Sequence, residues 1–209
     1  MTKRTLCLMA AVLWAGALAM AAAEDEEGFV PLFNGKDLTG WKLRNPKGKN
    51  LWTVEPGGLL KNTVAKGEHG TDLVTEKKFW NFTVRYEYMV PDGSNSGFYL
   101  RGRHEIQILG DAHSKGKPGT GSNGAIYGFK APDVFASKPG DQWQTCEATI
   151  IGNRITVILN GQKIHDNVEC TRPTGGELDR NVNEPGPIML QGDHGTVSFR
   201  NIRIKELPN

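Results

Sequence analysis

The run Arg101-Gly-Arg-His-Glu-Ile-Gln-Ile-Leu-Gly-Asp111 holds the residues best suited to chemistry. Read as a strand, it sends successive side chains to opposite faces. His104, Ile106 and Ile108 then share one face, and Glu105, Gln107 and Leu109 share the other. A carboxylate and a carboxamide two residues apart form a convergent polar pair. The carboxyl can give or take a proton, and the amide can hold a polar ligand. Arg101 enters this strand and Asp111 leaves it, so a cation and a second acid flank the pair. The same alternation also fits a half-exposed antiparallel strand with a polar outer face. The rest of the chain has to separate the two readings.

Other polar residues gather in turn-rich places. Pro187-Ile-Met-Leu-Gln191 runs into Gly192-Asp-His-Gly195, and His194 there is suited to proton transfer near neutral pH. Asn95 sits in Gly93-Ser-Asn-Ser-Gly97, and Tyr127 in Gly124-Ala-Ile-Tyr. Asn95, Tyr127 and Gln191 are candidates for binding substrate; a turn asparagine and a half-buried tyrosine are the plainer readings. His69, His113 and His165 fall in loops or a hairpin and read as surface residues, and His104 faces away from Glu105. Trp41, Trp52, Trp80 and Trp143 read as core rather than as sugar-stacking platforms. Glu105, Asp111 and His194 are chemically able to take a divalent metal. No ligand spacing demands one, and no cofactor is assigned.

The elements that position these residues are nearly all strands and turns. Phe82-Thr-Val-Arg-Tyr-Glu-Tyr-Met-Val90 alternates apolar and polar side chains, the pattern of a strand with one face in a core. Gly97–Arg101 reads as the strand before the opening run, and 125–129 as extended. Residues 143–151 and 154–159 pair across Gly152-Asn153, and Asn160-Gly161 turns the chain into 162–165. Asn-Gly suits a two-residue hairpin because both turn positions need positive φ. Residues 112–124 and 169–185 read as polar loops. About a dozen strands without βαβ spacing point to an all-β domain of two packed antiparallel sheets. No fixed period indicates a propeller or solenoid.

Lys3 and Arg4, an uncharged apolar run from Leu6 to Met20, and Ala21-Ala22-Ala23 before Glu24 make a secretory signal layout over residues 1–23. The run is short for a membrane span, and acidic residues rather than a basic stop follow it. The mature domain is then 24–209, exported to the periplasm or beyond. The whole chain has 25 Lys and Arg against 23 Asp and Glu, so losing Lys3 and Arg4 leaves it formally neutral. That balance gives no electrostatic footprint for nucleic acid or an anionic membrane, and nothing in the sequence names a protein partner. The remaining Cys146 and Cys170 fit either a disulfide or two unlinked thiols.

Several blocks together resemble one family. They are Leu32-Phe-Asn-Gly-Lys-Asp-Leu-Thr-Gly-Trp41, Gly93-Ser-Asn-Ser-Gly-Phe-Tyr-Leu-Arg101, Glu105-Ile-Gln-Ile-Leu109, Gly124-Ala-Ile-Tyr127, Leu159-Asn-Gly161, Pro187–Gly195 and Phe199-Arg-Asn-Ile-Arg-Ile204. In order, and across essentially the whole mature chain, they look like the 3-keto-disaccharide hydrolase domain. The resemblance implies a concanavalin A-like, jelly-roll sandwich of two curved antiparallel sheets, with carbohydrate commonly bound on the concave sheet. It also implies activity on glycosides oxidised to a ketone at the 3-position. Gln191-Gly-Asp-His-Gly195 departs from the family pattern by a glycine that could shift His194.

A 3-keto group acidifies the hydrogen on the 2-position. A base can remove it, the glycosidic oxygen can leave from the anomeric carbon, and water can add back, without the oxocarbenium route of ordinary glycosidases. On this reading Glu105 is the base or acid. Gln107 holds sugar hydroxyls or the enolate oxygen. Arg101 stabilises the enolate or keeps Glu105 ionised, and Asp111 and His194 are further acid/base groups. A noncatalytic, lectin-like carbohydrate-binding module is the alternative on the same fold. A retaining glycosidase of the laminarinase type would want a second carboxylate where Gln107 stands.

Overall fold

The structure, a computed structural model, describes residues 28–209, so the expected leader 1–23 lies outside the described residues. Those residues form thirteen β-strands and no α-helix. The strands are β1 (Val30–Pro31), β2 (Trp41–Leu43), β3 (Trp52–Glu55), β4 (Leu59–Asn62), β5 (Leu73–Thr75), β6 (Phe82–Met89) and β7 (Asn95–Leu100). They continue as β8 (His104–Leu109), β9 (Gln144–Ile151), β10 (Arg154–Leu159), β11 (Gln162–Glu169), β12 (Met189–Leu190) and β13 (Val197–Glu206). One sheet runs β11-β10-β9-β6-β13-β4-β3, with β1 added against β13; the other runs β2-β5-β12-β7-β8. Every pairing is antiparallel. Among the described residues no helix is long and apolar enough to cross a membrane.

Alternation builds the core. Phe82, Val84, Tyr86 and Tyr88 of β6 are buried, while the residues between them are half-buried on the outer face. Tyr86 stacks on Phe98 of β7, ring centroids 3.9 Å apart and planes 5° from parallel, which ties the two sheets together. Each large apolar side chain buried this way contributes about 1.5–3 kcal/mol. Asn160 and Gly161 take φ of 51° and 80°, the left-handed pair that the Asn-Gly turn requires. The irregularity in β13 is a bulge between Arg200 and Arg203, with Asn201 at φ 52°.

Two strands of the smaller sheet position the polar residues of interest. β7 and β8 form a hairpin in which Asn95 faces Leu109, Gly97 faces Gln107 and Tyr99 faces Glu105. Phe98, Ile106 and Ile108 point into the core, so Gly97, Tyr99, Glu105 and Gln107 share the outer face. Gln191, just past β12, donates its backbone N–H to Gly97 O at 2.9 Å and joins that face.

Four expectations need correction here. Arg101 is not strand but turn, with Arg101 and Gly102 at φ 55° and 65°. Residues 125–129 form isolated bridges rather than a strand, because Phe129 and Lys130 donate back to Ile126 O. His165 is buried instead of exposed, with Nε2 2.9 Å from Gly124 O. The outer face of β8 is not half-open, since Glu105 and Gln107 are both buried beneath neighbouring segments. Cys146 and Cys170 are unlinked buried thiols, each pushed up to about 12 chiefly by burial.

Candidate active site

Glu105 is 2 % exposed, yet its carboxyl forms part of the wall of a cavity of about 300 Å³. Its Oε2 accepts from the Tyr99 hydroxyl at 2.8 Å across the β7–β8 ladder. The phenol has one hydrogen, and Gly175 O at 3.0 Å is the competing acceptor. Gly97 makes room for the carboxyl. A Cβ at that position would stand 2.2 Å from Glu105 Oε1. Burial pushes Glu105 up to about 8; the Tyr99 hydrogen bond opposes this, and the negative charges of Asp72 and Asp193 add to it. Burial, and then the Glu105 charge, raises the Tyr99 phenol far above the usual tyrosine value, so it stays a donor.

The segment after β11 closes the cavity from one side. Thr174 Oγ1 accepts from Glu105 N at 2.9 Å, and Thr174 N donates to Arg103 O at 2.9 Å. Arg44 donates to Gly176 O and Glu177 O, both at 2.9 Å, and Arg103 holds Asp179 at 2.6 Å. Gly176, at φ +75°, passes so close to Tyr99 that a Cβ would lie 2.6 Å from the phenol oxygen. These contacts fix a nonrepetitive segment against the sheet and shield the carboxyl from water.

The opposite rim is made by Asn95, Gln107, Tyr127, Gln191 and His194, with Tyr127 39 % exposed. The orientation of the Gln107 amide that satisfies its neighbours donates to Glu105 Oε1 and Ser96 O, both at 3.1 Å. Gln107 therefore orients Glu105 first. Gln191 Oε1 is buried with no hydrogen-bond partner among the described residues, an acceptor that a bound hydroxyl would satisfy. His194 Nδ1 contacts the Asp193 carboxylate, which leaves Nε2 to face a ligand. The glycine at 192 does not carry His194 away. Gly192 N donates to Asp72 Oδ1 at 2.9 Å, and a Cβ there would meet Thr71 O at 2.4 Å and Trp52 Nε1 at 2.6 Å.

Two candidates lie elsewhere. Arg101 is fully buried, its guanidinium 3.6 Å from the Trp80 ring centroid. It donates to Trp80 O at 2.8 Å, Gly152 O at 2.7 Å and Val182 O at 3.3 Å. It fastens the turn between β7 and β8 and does not line the cavity. Asp111 accepts from Asn123 N at 2.8 Å and Ser137 Oγ at 3.0 Å, pinning the 112–124 loop to the end of β8. Asp111 is thus not brought to Glu105 and His194, which share the cavity. Among the described residues no group of three His, Cys, Asp or Glu is arranged to hold a metal ion. Trp41 and Trp52 are core, Trp80 stacks on Arg101 and Trp143 on Arg200. Sequence reasoning missed Tyr99, Gly97, Asp193 and the Gly175-Gly176 wall. Tyr99 and Gly97 had a signal: they alternate on the strand that precedes the turn.

The cavity offers a desolvated carboxyl with a value near neutral, a phenol and an amide that orient it, a histidine with a carboxylate behind it, and neutral amides. Such a set can remove a weakly acidic proton at one point and give a proton at another.

Comparison with known proteins agrees with this architecture. A curated 3-keto-disaccharide hydrolase of Bacteroides thetaiotaomicron is 27 % identical, over 88 % of this chain and 80 % of that protein. A crystallised protein of Parabacteroides distasonis, provisionally named a glycosyl hydrolase, superposes with a TM-score of 0.69 at 28 % identity, covering 87 % of this chain and 84 % of its own. The Bacillus licheniformis beta-glucanase, at 12 % identity and a TM-score of 0.53 over 86 % of this chain and 97 % of its own, shares the fold alone. The 3-keto-alpha-glucoside-1,2-lyase-like domain profile matches residues 28–205, nearly all of the described chain, and the protein belongs to that family.

Proposed function

We propose that this protein cleaves 3-keto-glycosides by elimination followed by hydration, with Glu105 as the base. The observation that carries the reading is the buried Glu105 carboxyl in the cavity wall, raised to about 8 by desolvation. The 2-position hydrogen of a 3-keto sugar is acidified by the ketone, and a desolvated carboxylate is a stronger base than an exposed one. Glu105 takes that proton, and its electron pair forms the enolate. The enolate collapses to a carbon–carbon double bond between the 1- and 2-positions as the anomeric carbon–oxygen bond breaks. The departing oxygen takes a proton from His194. Water then adds at the anomeric carbon, a proton returns to the 2-position, and the products are the free 3-keto sugar and the alcohol.

The remaining residues fit this path. Tyr99 and Gln107 hold the two oxygens of Glu105. Among the described residues no lysine or arginine lines the cavity, so the enolate oxygen is held by the neutral amides of Asn95 and Gln191. Tyr127 supplies an aromatic face for the ring. Among the described residues Glu105 is the one carboxyl in the lining, which disfavours a retaining mechanism needing two carboxyls about 5–5.5 Å apart. The leader-like composition of residues 1–23 supports export to the periplasm or the exterior.

The test is to incubate the protein with a 3-keto-glucoside and with the unoxidised glucoside and to follow release of the alcohol. Release from the keto compound alone, abolished in Glu105→Gln, is the expected result. Equal release from both would contradict it. Binding of both without turnover would identify a carbohydrate-binding module.

A further inference from the structure

Arg44 and Asp72 are placed by the β2–β5 ladder. Leu43 pairs with Leu73, and Arg44 N donates to Asp72 O at 2.8 Å just beyond that rung. Alternation puts Asp72 on the face of Val74, which packs with Met189 and Tyr99 on the cavity side of the sheet. The two side chains form an ion pair, Arg44 Nη1 to Asp72 Oδ2 at 3.1 Å. Each partner then reaches a different wall of the Glu105 cavity. Arg44 donates to Gly176 O and Glu177 O, both at 2.9 Å, and holds the wall whose Gly175 O accepts from the Tyr99 hydroxyl. Asp72 Oδ1 accepts from Gly192 N at 2.9 Å, between Gln191 and His194 of the other wall. Residues 175–177 and 191–194 lie outside the strands, so tertiary contacts must place them. The other fasteners each serve one side. Arg103 holds Asp179 at 2.6 Å, and Asn62 Nδ2 donates to Gly192 O at 3.0 Å.

We propose that Arg44 and Asp72 are positioning residues for Glu105, one ion pair that joins the two walls of its cavity and keeps both in place around the carboxyl. Their effect on turnover rests on the elimination reading. The walls carry what that reaction needs. Gly175 O competes with Glu105 for the one Tyr99 hydrogen, so a shift of this wall changes which oxygen the phenol serves. Gln191 and His194 lie within two residues of Gly192, so their aim depends on the Asp72 bond. The pair also shapes the local field. The charged or titratable groups facing Glu105 are Tyr99 from β7, Asp72 ahead of β5, and Asp193 and His194 after β12. Arg44 offsets the Asp72 charge. An ion pair whose Arg44 side chain is 35 % exposed adds little to stability, so its weight lies in geometry and field.

The experiment measures kcat, KM and the pH profile of the full chain on a 3-keto-glucoside. Asp72→Asn keeps an acceptor for Gly192 N and removes the charge. Ionised Glu105 is then favoured, so the inflection near 8 in kcat/KM should move about half a pH unit lower. Arg44→Gln uncovers the Asp72 charge and should move the inflection higher by a similar amount, with kcat about tenfold lower and KM within about threefold. Arg44→Lys keeps the charge and loses the planar fork that reaches three oxygens. Its inflection should stay with the parent while kcat falls about threefold. A merely structural pair would lower kcat in all three variants and leave the inflection where it is. Inflections unmoved, or moved in the same direction, in Asp72→Asn and Arg44→Gln would overturn the proposal. So would kcat unchanged within about twofold in both Arg44 variants. A second measurement needs no turnover. With carboxyl-labelled glutamate, the NMR titration of Glu105 should show the same opposite displacements in Asp72→Asn and Arg44→Gln. Cleavage by the parent protein with neither displacement overturns the pair alone. Opposite displacements in a parent protein that leaves the keto compound intact overturn the elimination reading and keep the pair around Glu105.

Discussion

Arg101 and Glu105 flank one tight turn, and both are buried, at 0 % and 2 % exposure. Their surroundings differ. The Arg101 guanidinium is matched by three backbone carbonyls and the Trp80 ring, so its charge is met on every side by groups that hold the turn together. Glu105 has a hydrogen bond from Tyr99, one from Gln107, and an open cavity in front of it. Burial pushes Arg101 down to about 10, which leaves it charged at neutral pH, while Glu105 is pushed up to about 8, where both forms are populated. A buried charge with a complete set of partners is structural. One left short of partners beside a cavity, with two accessible protonation states, is a candidate for chemistry.

Paired substitutions break or sharpen this contrast. Glu105→Gln should lower kcat/KM on a 3-keto-disaccharide by roughly 10³-fold, about 4 kcal/mol, with thermal stability kept or raised. Arg101→Leu should do the reverse. It leaves three carbonyls unpaired and should cost about 3 kcal/mol in chemical denaturation, with kcat within about threefold at temperatures where the variant is folded. Equal losses of stability in both would erase the distinction.

The pH profile gives the next effect. A base must be ionised to act, and the raised Glu105 value places that ionisation late. Plotted against pH, kcat/KM should therefore rise to an inflection near 8. Tyr99 favours the ionised carboxylate, so Tyr99→Phe should move the inflection to higher pH and lower kcat/KM at pH 7 about tenfold. A smaller effect is expected behind His194. Asp193→Asn should reduce kcat about three- to tenfold by loosening the imidazole. The loss should be largest for substrates with poor leaving groups and should shrink for a nitrophenyl compound.

The sequence and the structure agree where local pattern decides. β6 and the Asn160-Gly161 turn were legible because periodicity and turn chemistry act within a few residues. Glu105 and Gln107 were legible as one face of β8 for the same reason. Arg101 misled because strand alternation says nothing about where a strand stops, and here the chain turns at Arg101-Gly102. Tyr99 was in view on the preceding strand, but its pairing with Glu105 follows from the register that this turn sets. Gly175-Gly176 and Asp193 reach the site through a long polar segment and a strand end, whose placement depends on tertiary contacts to Arg44, Arg103 and Asp72. Asp111 read equally well as a turn residue, and it is the anchor of a loop.

The most direct test of Glu105 as a carbon base is the fate of the 2-position hydrogen. The reaction of a 3-keto-disaccharide is run in D₂O, sampled early against a control without enzyme, and the released 3-keto sugar is examined by NMR. Elimination and hydration at Glu105 predict deuterium at the 2-position of each product molecule from the enzymatic reaction, with no product from Glu105→Gln above the control. Product that keeps its 2-position hydrogen would contradict the account and point to direct substitution at the anomeric carbon.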